Sequence, residues 1–484
     1  WNATQGTHVY TPDLSRPAFR DDRYQSHATR VTWQVSSRNK LNIFADIKRD
    51  CICETGGAGS ALGSGATQAQ EGQSWWRLWP NGAIQATWTA PLTNKLLFEA
   101  GAAVVLFHWP GLLNEGTSPD DVAITELSTN FRYNNVGNTY QPDVRIGDRY
   151  SQRVAMTYVT GSHAFKVGMQ WDQGRSETKN VGTGRPGAKG VAYRFRDGVP
   201  NSLSYASIYH EKYNQKAEMG VFLQDQWSVG RASINAGMRF DYYNGAIPAV
   251  DEPAHDFTPA VKYDAISGAP SLKDINPRVG LAYDVFGTGR TAVKLSFGRY
   301  VAMTGNTLVG QYNPLRTSVN STTRAWTDRN GDFVPDCDLA NFEANGECGA
   351  MANKLFGQAN PNAIQFADDV RYGWGNRPYT WDFGAEMQQQ VGSAVSVTGG
   401  YFHNWDGAFG ATANTSTNPS DYDEYCITAP SDSRLPGGGG YQVCGLADIR
   451  PALFGQVTSV NTQTSNFGDV SRVNDFVSLN FEAR

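Results

Sequence analysis

The amino-acid sequence predicts an all-β protein whose antiparallel strands run up and down to form a transmembrane β-barrel. Three observations predict this class. Apolar and polar residues alternate over ten or more positions in several segments, as they do in strands with one oily and one wet face. These segments pair into hairpins with short turns, and much longer segments separate the hairpins. The composition is rich in glycine and aromatic residues, with 51 Gly and 12% Phe, Trp and Tyr against 18% charged residues.

The composition also limits the domain organisation and the partners. The chain of 484 residues has a net charge of −5, so it lacks the basic excess of a nucleic-acid-binding protein. Its longest apolar run, 101–109, is far shorter than the ~20 residues of a membrane-spanning helix. No linker or step in composition divides the chain, which indicates one domain over 1–484. Because residue 1 is Trp and no signal peptide is visible, we expect a processed chain or a fragment.

Hairpins are predicted wherever two alternating segments flank a short turn. In the clearest hairpin, Trp381, Phe383 and Met387 lie on one face, whereas Asp382 and Glu386 lie on the other. The residues after the next turn repeat this alternation. Six hairpins are predicted, and 469–482 is a candidate thirteenth strand; the hairpins cover 31–49, 83–109, 150–173, 219–242, 276–303 and 379–405.

The segments between the hairpins place all short turns at one end of the sheet and all long loops at the other. This asymmetry is typical of outer-membrane barrels, which have tight periplasmic turns and long extracellular loops. Ten to twelve residues tilted by ~45° cover about 23–28 Å, close to the ~25 Å apolar band of such barrels. A soluble β-sandwich also alternates apolar and polar residues and remains the alternative. The predicted external loops are 51–82, 110–149, 174–216, 244–275, 304–378 and 406–468.

Several of these strands resemble the barrel of the TonB-dependent outer-membrane receptors, especially the Oar-like branch. The resemblance covers roughly residues 30–484. It rests on the segments 160–168 (TGSHAFKVG), 220–227 (GVFLQDQW), 235–241 (NAGMRFD), 276–284 (NPRVGLAYD) and 297–300 (FGRY).

The resemblance implies a barrel of about 22 strands that is closed by an N-terminal plug and coupled to the TonB complex. Neither a plug nor a TonB box is recognisable, and the 12 or 13 predicted strands are too few for a barrel of this size. The last segment, 480–484, ends in Arg484 and lacks the C-terminal aromatic residue expected of an outer-membrane barrel. We therefore interpret the chain as the middle and later part of a longer receptor in the outer membrane of a Gram-negative bacterium. The implied partners are membrane lipid, the TonB complex through a plug outside this chain, and an unknown ligand.

The sharpest local motif is an acidic loop at 328–338. Oxygen-bearing side chains alternate along it, as in loops that wrap six to eight oxygen ligands around calcium. It departs from the EF-hand pattern because Phe333 stands at the glycine position and Leu339 at the position of the bidentate glutamate. A solvated turn explains the same residues equally well. The predicted calcium ligands are Asp328, Asn330, Asp332, Asp336 and Asp338.

The six cysteines form three local pairs. Cys337 with Cys348 and Cys426 with Cys444 each lie within one predicted external loop, where an oxidising compartment favours a disulfide. We expect both bridges. Cys51 and Cys53 are separated by one residue, so free thiols and a tight ring both stay open.

No sequence motif indicates catalysis. There is no G-x-S-x-G or H-E-x-x-H segment, and the glycine patterns at 182–187 and 287–292 do not open a helix, so we interpret them as turns. The charges predicted to face the barrel interior either line a substrate path or pair with one another across a hydrated bore. These charges are Arg231, Arg239, Asp241, Asp382 and Glu386.

Three functions follow from the sequence, in order of preference. The first is a TonB-dependent receptor that imports a ligand captured by its loops. The second is a non-transporting surface barrel or adhesin that binds a partner through the same loops. The third, less favoured, is a soluble β-sandwich binding module. The sequence identifies no ligand-contact residues.

Overall fold

The computed structural model describes residues 1–55, 67–302 and 304–483. Thirteen long strands form one sheet in which each strand pairs antiparallel with the next along the chain. They are β1 (Arg20–Ser36), β2 (Asn39–Thr55), β3 (Ser74–Pro91), β4 (Leu96–Phe107), β5 (Arg145–Thr160), β6 (His163–Lys179), β7 (His210–Val229), β8 (Ala232–Ile247), β9 (Ile266–Asp284), β10 (Thr291–Val301), β11 (Tyr379–Val391), β12 (Val395–Gly407) and β13 (Arg472–Ala483).

All six predicted hairpins and the thirteenth strand are confirmed. The strands are longer than predicted, because several continue into the segments assigned to loops. β7, the longest, has 20 residues, which cover about 47 Å at a tilt of ~45°. That length exceeds the ~25 Å apolar band, so the outer ends of such strands project beyond the membrane.

The two faces of the sheet differ as the alternation predicts. On the apolar face Leu223 of β7 lies opposite Met238 of β8, and Phe297 of β10 lies opposite Phe383 of β11. Leu223 and Met238 are 59% and 57% exposed, and within the described residues no second layer covers them. A continuous apolar face of this size requires an apolar environment. Because no second sheet covers this apolar face in the described residues, the β-sandwich alternative is wrong.

The sheet is open in the described residues, with β1 and β13 at its edges. Because successive strands are antiparallel, the first and thirteenth strands run in the same direction. These edges cannot pair antiparallel with each other, so an antiparallel barrel closes only with an odd number of additional strands.

The long loops are folded as well. Three of them contribute to one six-stranded sheet, in the order Cys348–Met351, Ser321–Trp326, Val199–Ala206, Val191–Arg196, Ile124–Glu126 and Phe131–Tyr133. We call this sheet, with residues 1–12 and 328–347 packed beside it, the outer-loop sheet. Its core includes Trp326, Phe195 and Tyr193, which are almost fully buried. The loops therefore form a packed structure with its own apolar core.

The remaining elements are short. Further strands are Gly111–Leu113, Thr139–Tyr140, Val181–Gly182, Val250–Glu252, Val261–Tyr263, Gln365–Phe366, Tyr372–Trp374, Gly410–Asn414, Tyr422–Thr428, Gln442–Ile449 and Ser459–Gln463. The α-helices are Thr307–Gly310, Pro314–Thr317 and Asp368–Arg371, and the 3-10 helices are Gln70–Gly72, Pro419–Asp421, Pro436–Gly438, Pro451–Leu453 and Thr464–Asn466. In the described ranges, no helix has the length and apolar character needed to cross a membrane.

Candidate functional site

A continuous chain of ion pairs and hydrogen bonds crosses the polar face between β7 and β10. We call it the polar chain; in order of contact it consists of Arg239, Asp241, Asn276, Arg299, Asp274, Arg377 and Glu218. At one end, Arg239 Nε lies 2.8 Å from an Asp241 oxygen, and Asn276 donates to the other oxygen of Asp241 at 2.6 Å. Asn276 in turn accepts from Arg299 at 2.7 Å.

Asp274 is the centre of the polar chain. Both terminal nitrogens of Arg299 donate to its Oδ1 at 3.0 Å, and Arg377 Nε donates to its Oδ2 at 3.1 Å. Arg377 Nη1 also lies 3.8 Å from a Glu218 oxygen. The Asp274 side chain is fully buried and those of Arg299 and Arg377 are nearly so, and these charges therefore depend on one another for compensation.

The register of the strands explains why these residues meet. Asp241 lies directly opposite Asp274, and Arg239 opposite Asn276, in the β8–β9 pair. The β9–β10 ladder begins at Arg278 and does not include Asp274 or Asn276, and Arg299 contacts both residues beyond its end. Two carboxylates opposite each other repel, and the arginines offset that repulsion.

The predicted interior charges divide into two groups. Arg239 and Asp241 belong to the polar chain. Arg231 donates to the carbonyl of Val285 at 3.3 Å beside a short turn. Asp382 accepts one bond from Asn404 at 3.4 Å, and Glu386 lies opposite Lys294 in the ladder. Arg231 and Asp382 therefore make local contacts on the polar face.

A cavity of about 460 Å³ lies beside the polar chain, on β7 to β11. Polar residues that line it include Gln224, Arg239, Asn276, Arg278 and Asp382. Arg278 also lies over the ring of Tyr300, with 4.4 Å between the guanidinium carbon and the ring centroid. This part of the polar face offers both donors and acceptors to a solute or to another protein segment.

The acidic loop at 328–338 is held by its own side chains. Asp328 accepts from the amides of Gly331 and Phe333, and Asn330 donates to the carboxylates of Asp332 and Asp336 at 3.1 and 3.0 Å. The Asp338 carboxylate instead accepts a hydrogen bond from the amide of Ala340, which lies in the same turn. The structure thus brings Asn330, Asp332 and Asp336 together.

Phe333 occupies the position where an EF-hand has glycine, and it adopts φ of 58°, the left-handed conformation that glycine usually supplies. Its ring stacks on His8 and packs against Phe195. These contacts offset the backbone strain. Among the described residues, no three His, Cys, Asp or Glu side chains are arranged to hold a metal ion. Calcium binding stays a prediction.

Glu347 fastens the acidic loop to the outer-loop sheet, a role that the sequence did not suggest. Its carboxylate accepts from the amides of Arg329 at 2.6 Å and Asp336 at 3.2 Å, and from the indole of Trp326 at 3.3 Å. The amide of Arg329 contributes most to holding the pKa of Glu347 below its ordinary value. A lone glutamate in a loop carries no local signal for such a role.

All six cysteines are paired in disulfides. Cys337–Cys348 and Cys426–Cys444 form as expected, and Cys51 is bonded to Cys53, which the sequence left open. The Cys337–Cys348 bridge ties the acidic loop to the edge strand of the outer-loop sheet.

Comparison with known proteins identifies the class. Residues 3–469 match the family described as outer membrane β-barrel domain, and the chain belongs to that family. This membership places the chain in the outer membrane of a Gram-negative bacterium.

The particular relatives are transporters. In an alignment 292 residues long, which covers 54% of this chain and 25% of the relative, the sequence is 24% identical to the TonB-dependent transporter Oar of Myxococcus xanthus. The outer membrane transporter YddB from Escherichia coli has a similar fold, with a TM-score of 0.50 and 12% identity over 95% of this chain and 45% of YddB. The chain thus spans less than half the length of these relatives.

Proposed function

We propose that this chain is the barrel portion of a TonB-dependent receptor that captures a ligand on its outer loops and imports it with energy from the TonB complex. The similarity to Oar carries the proposal. The sheet supports it, because its exposed apolar face suits lipid and its polar face suits a hydrated bore.

The two open edges supply the structural part of the proposal. Further strands of the receptor, odd in number, would pair with β1 and β13 and close the antiparallel barrel. A plug from the same receptor would contact the polar face and connect it to the TonB complex. The relatives are transporters, and we expect no catalytic activity from this chain.

A non-transporting surface barrel or adhesin is the second candidate. It is favoured by the outer-loop sheet, whose buried core and disulfide-linked edge present a fixed surface to the outside. An import receptor does not require loops with an apolar core of their own.

A genetic comparison of the full-length receptor separates the two candidates. Strains that lack the receptor, TonB or both are compared under conditions in which loss of the receptor impairs growth. If the chain imports a ligand, each single deletion gives the same defect and the double deletion adds nothing. If loss of the receptor impairs growth and loss of TonB does not, the import function is wrong and the surface-barrel candidate stands.

A further inference from the structure

Two arginines lie on the lipid-facing surface of the sheet, towards the end that carries the long loops. Leu41 and Ile47 of β2 belong to the apolar face, and the regular β1–β2 ladder places Arg49 and Cys51 on the same face. Arg77 of β3 lies directly opposite Cys51. Arg49 and Arg77 are therefore diagonal neighbours, a relation that places residues ~7–8 Å apart in an antiparallel pair.

The height of these arginines along the strands corresponds to the outer border of the apolar band. Trp33, Leu41 and Trp88 lie side by side next to a short turn, and the two tryptophans are 59% and 40% exposed, as in the aromatic belt at a membrane surface. The stretches from Leu41 to Arg49 and from Leu41 to Cys51 rise about 19 and 23 Å at a tilt of ~45°. An apolar band of ~25 Å that begins at this belt therefore ends near the two arginines, at the level of the lipid head groups.

Both arginines are exposed, and within the described residues neither forms an ion pair. Nearby Arg23, in contrast, is paired with Asp21 at 2.8 Å. The segment 56–66, which lies outside the described residues, contains no acidic residue. β2 and β3 have neighbours on both sides here, so strands added at an open edge of the sheet would not cover the arginines. Two like charges at this separation repel each other, and an anion between them would remove that repulsion.

We propose that Arg49 and Arg77 together bind a phosphate group of a lipid in the outer leaflet of the membrane. A phosphate balances the two positive charges, and each planar guanidinium can donate two hydrogen bonds to its oxygens. Trp79, two residues after Arg77, is 47% exposed, as expected of an indole at the boundary between acyl chains and head groups. Such a site anchors the barrel in the outer leaflet and is separate from the import of a ligand through the bore.

Lipid binding to the full-length receptor in detergent micelles tests the chemistry of this site. The probe is lipid A, a glycolipid with two phosphate groups, which is compared with its dephosphorylated form and with inorganic phosphate by isothermal titration calorimetry. We expect lipid A to bind about tenfold or more tightly than the dephosphorylated form, because charge-assisted hydrogen bonds to phosphate are lost. Equal binding of the two lipids, or binding of inorganic phosphate as tight as that of lipid A, would overturn the proposal.

A double variant, Arg49→Gln with Arg77→Gln, locates the site. Each basic side chain near a membrane surface strengthens the binding of an anionic lipid about fivefold, so we expect lipid A affinity to fall about thirtyfold. The matched control, Arg196→Gln with Arg434→Gln, removes the same charge from two exposed arginines of the outer loops and should bind as the wild type does. An unchanged affinity in the first double variant, or an equal loss in both, would overturn the assignment.

A gain-of-charge variant keeps the site testable if the double variant does not fold. Gln25 lies directly opposite Arg49 on the lipid-facing surface, so Gln25→Arg adds a third positive charge beside the pair. We expect lipid A to bind about fivefold more tightly to this variant. Gln34→Arg, near the short turn at the other end of the same strand, is its control and should leave the affinity unchanged. An unchanged or weaker affinity in Gln25→Arg would contradict the assignment. These measurements need neither TonB nor an imported ligand, so their outcome is independent of the transport test.

Discussion

Asp274→Asn should destabilise the barrel more than any other charge-removing change on its polar face. Asp274 accepts three bonds from two buried guanidinium groups at 3.0–3.1 Å, and its side chain has no exposure to solvent. Removing one partner of a buried ion pair costs about 3–5 kcal/mol, since the charge left behind is uncompensated. Asparagine keeps one acceptor oxygen, so we expect a loss near the lower end, about 3 kcal/mol.

The measurement is urea unfolding of the full-length receptor in detergent micelles, followed by tryptophan fluorescence. Asp382→Asn is the matched control, because Asp382 makes one 3.4 Å hydrogen bond to a neutral amide on the same face. It should lose less than about 1 kcal/mol. Equal losses in the two variants would show that the polar chain is not buried as the structure has it, and the reasoning would fail.

Three further outcomes are expected. Burial raises the pKa of Glu126, but hydrogen bonds from the amides of Gly198, Ser128 and Asp197 outweigh burial and lower the pKa to about 2. The stability that ionised Glu126 gives the outer-loop sheet should be present above pH ~4.5 and disappear as the pH falls towards 2. Glu126→Gln should remove this pH dependence from protease-resistance curves. The Cys426–Cys444 bridge closes a hairpin with a sequence separation of 18, so Cys426→Ser should lower the stability of this hairpin by about 3 kcal/mol. Faster proteolysis within 429–441 is the expected result, and an unchanged rate contradicts it. If the loop at 328–338 binds calcium, chelation should lower its protease resistance and added calcium restore it, whereas identical rates would support the solvated turn.

The long hairpins were predictable because their signal is local. Alternation with period two over β11 and β12 fixes both the strand and the face, and the register follows from the short turn between them. The strand ends were harder to place, because beyond the membrane both faces meet water or loops and the alternation fades. This is why β7 begins at His210, inside a segment assigned to a loop.

The outer-loop sheet was not predictable for the opposite reason. Ser202 pairs with Ala325, and Tyr193 pairs with Ile124, so its ladders join residues from different loops. Strands of three to eight residues give too short a pattern to recognise, and no local turn sets their register. The same reason explains why Arg377 was missed, since it lies in a loop and meets Asp274 only in the folded chain.

Arg377 links the two parts of the molecule that sequence reasoning could not connect. It belongs to the polar chain and also lines a cavity of about 390 Å³ between the loops. Arg299 bonds both Asp274 and Asn276, and Asn276 bonds Asp241, so a change in the contacts of Arg377 would pass from the loops along β9 to β8 on the polar face. The loops and the polar face of the sheet are therefore connected by side chains in direct contact.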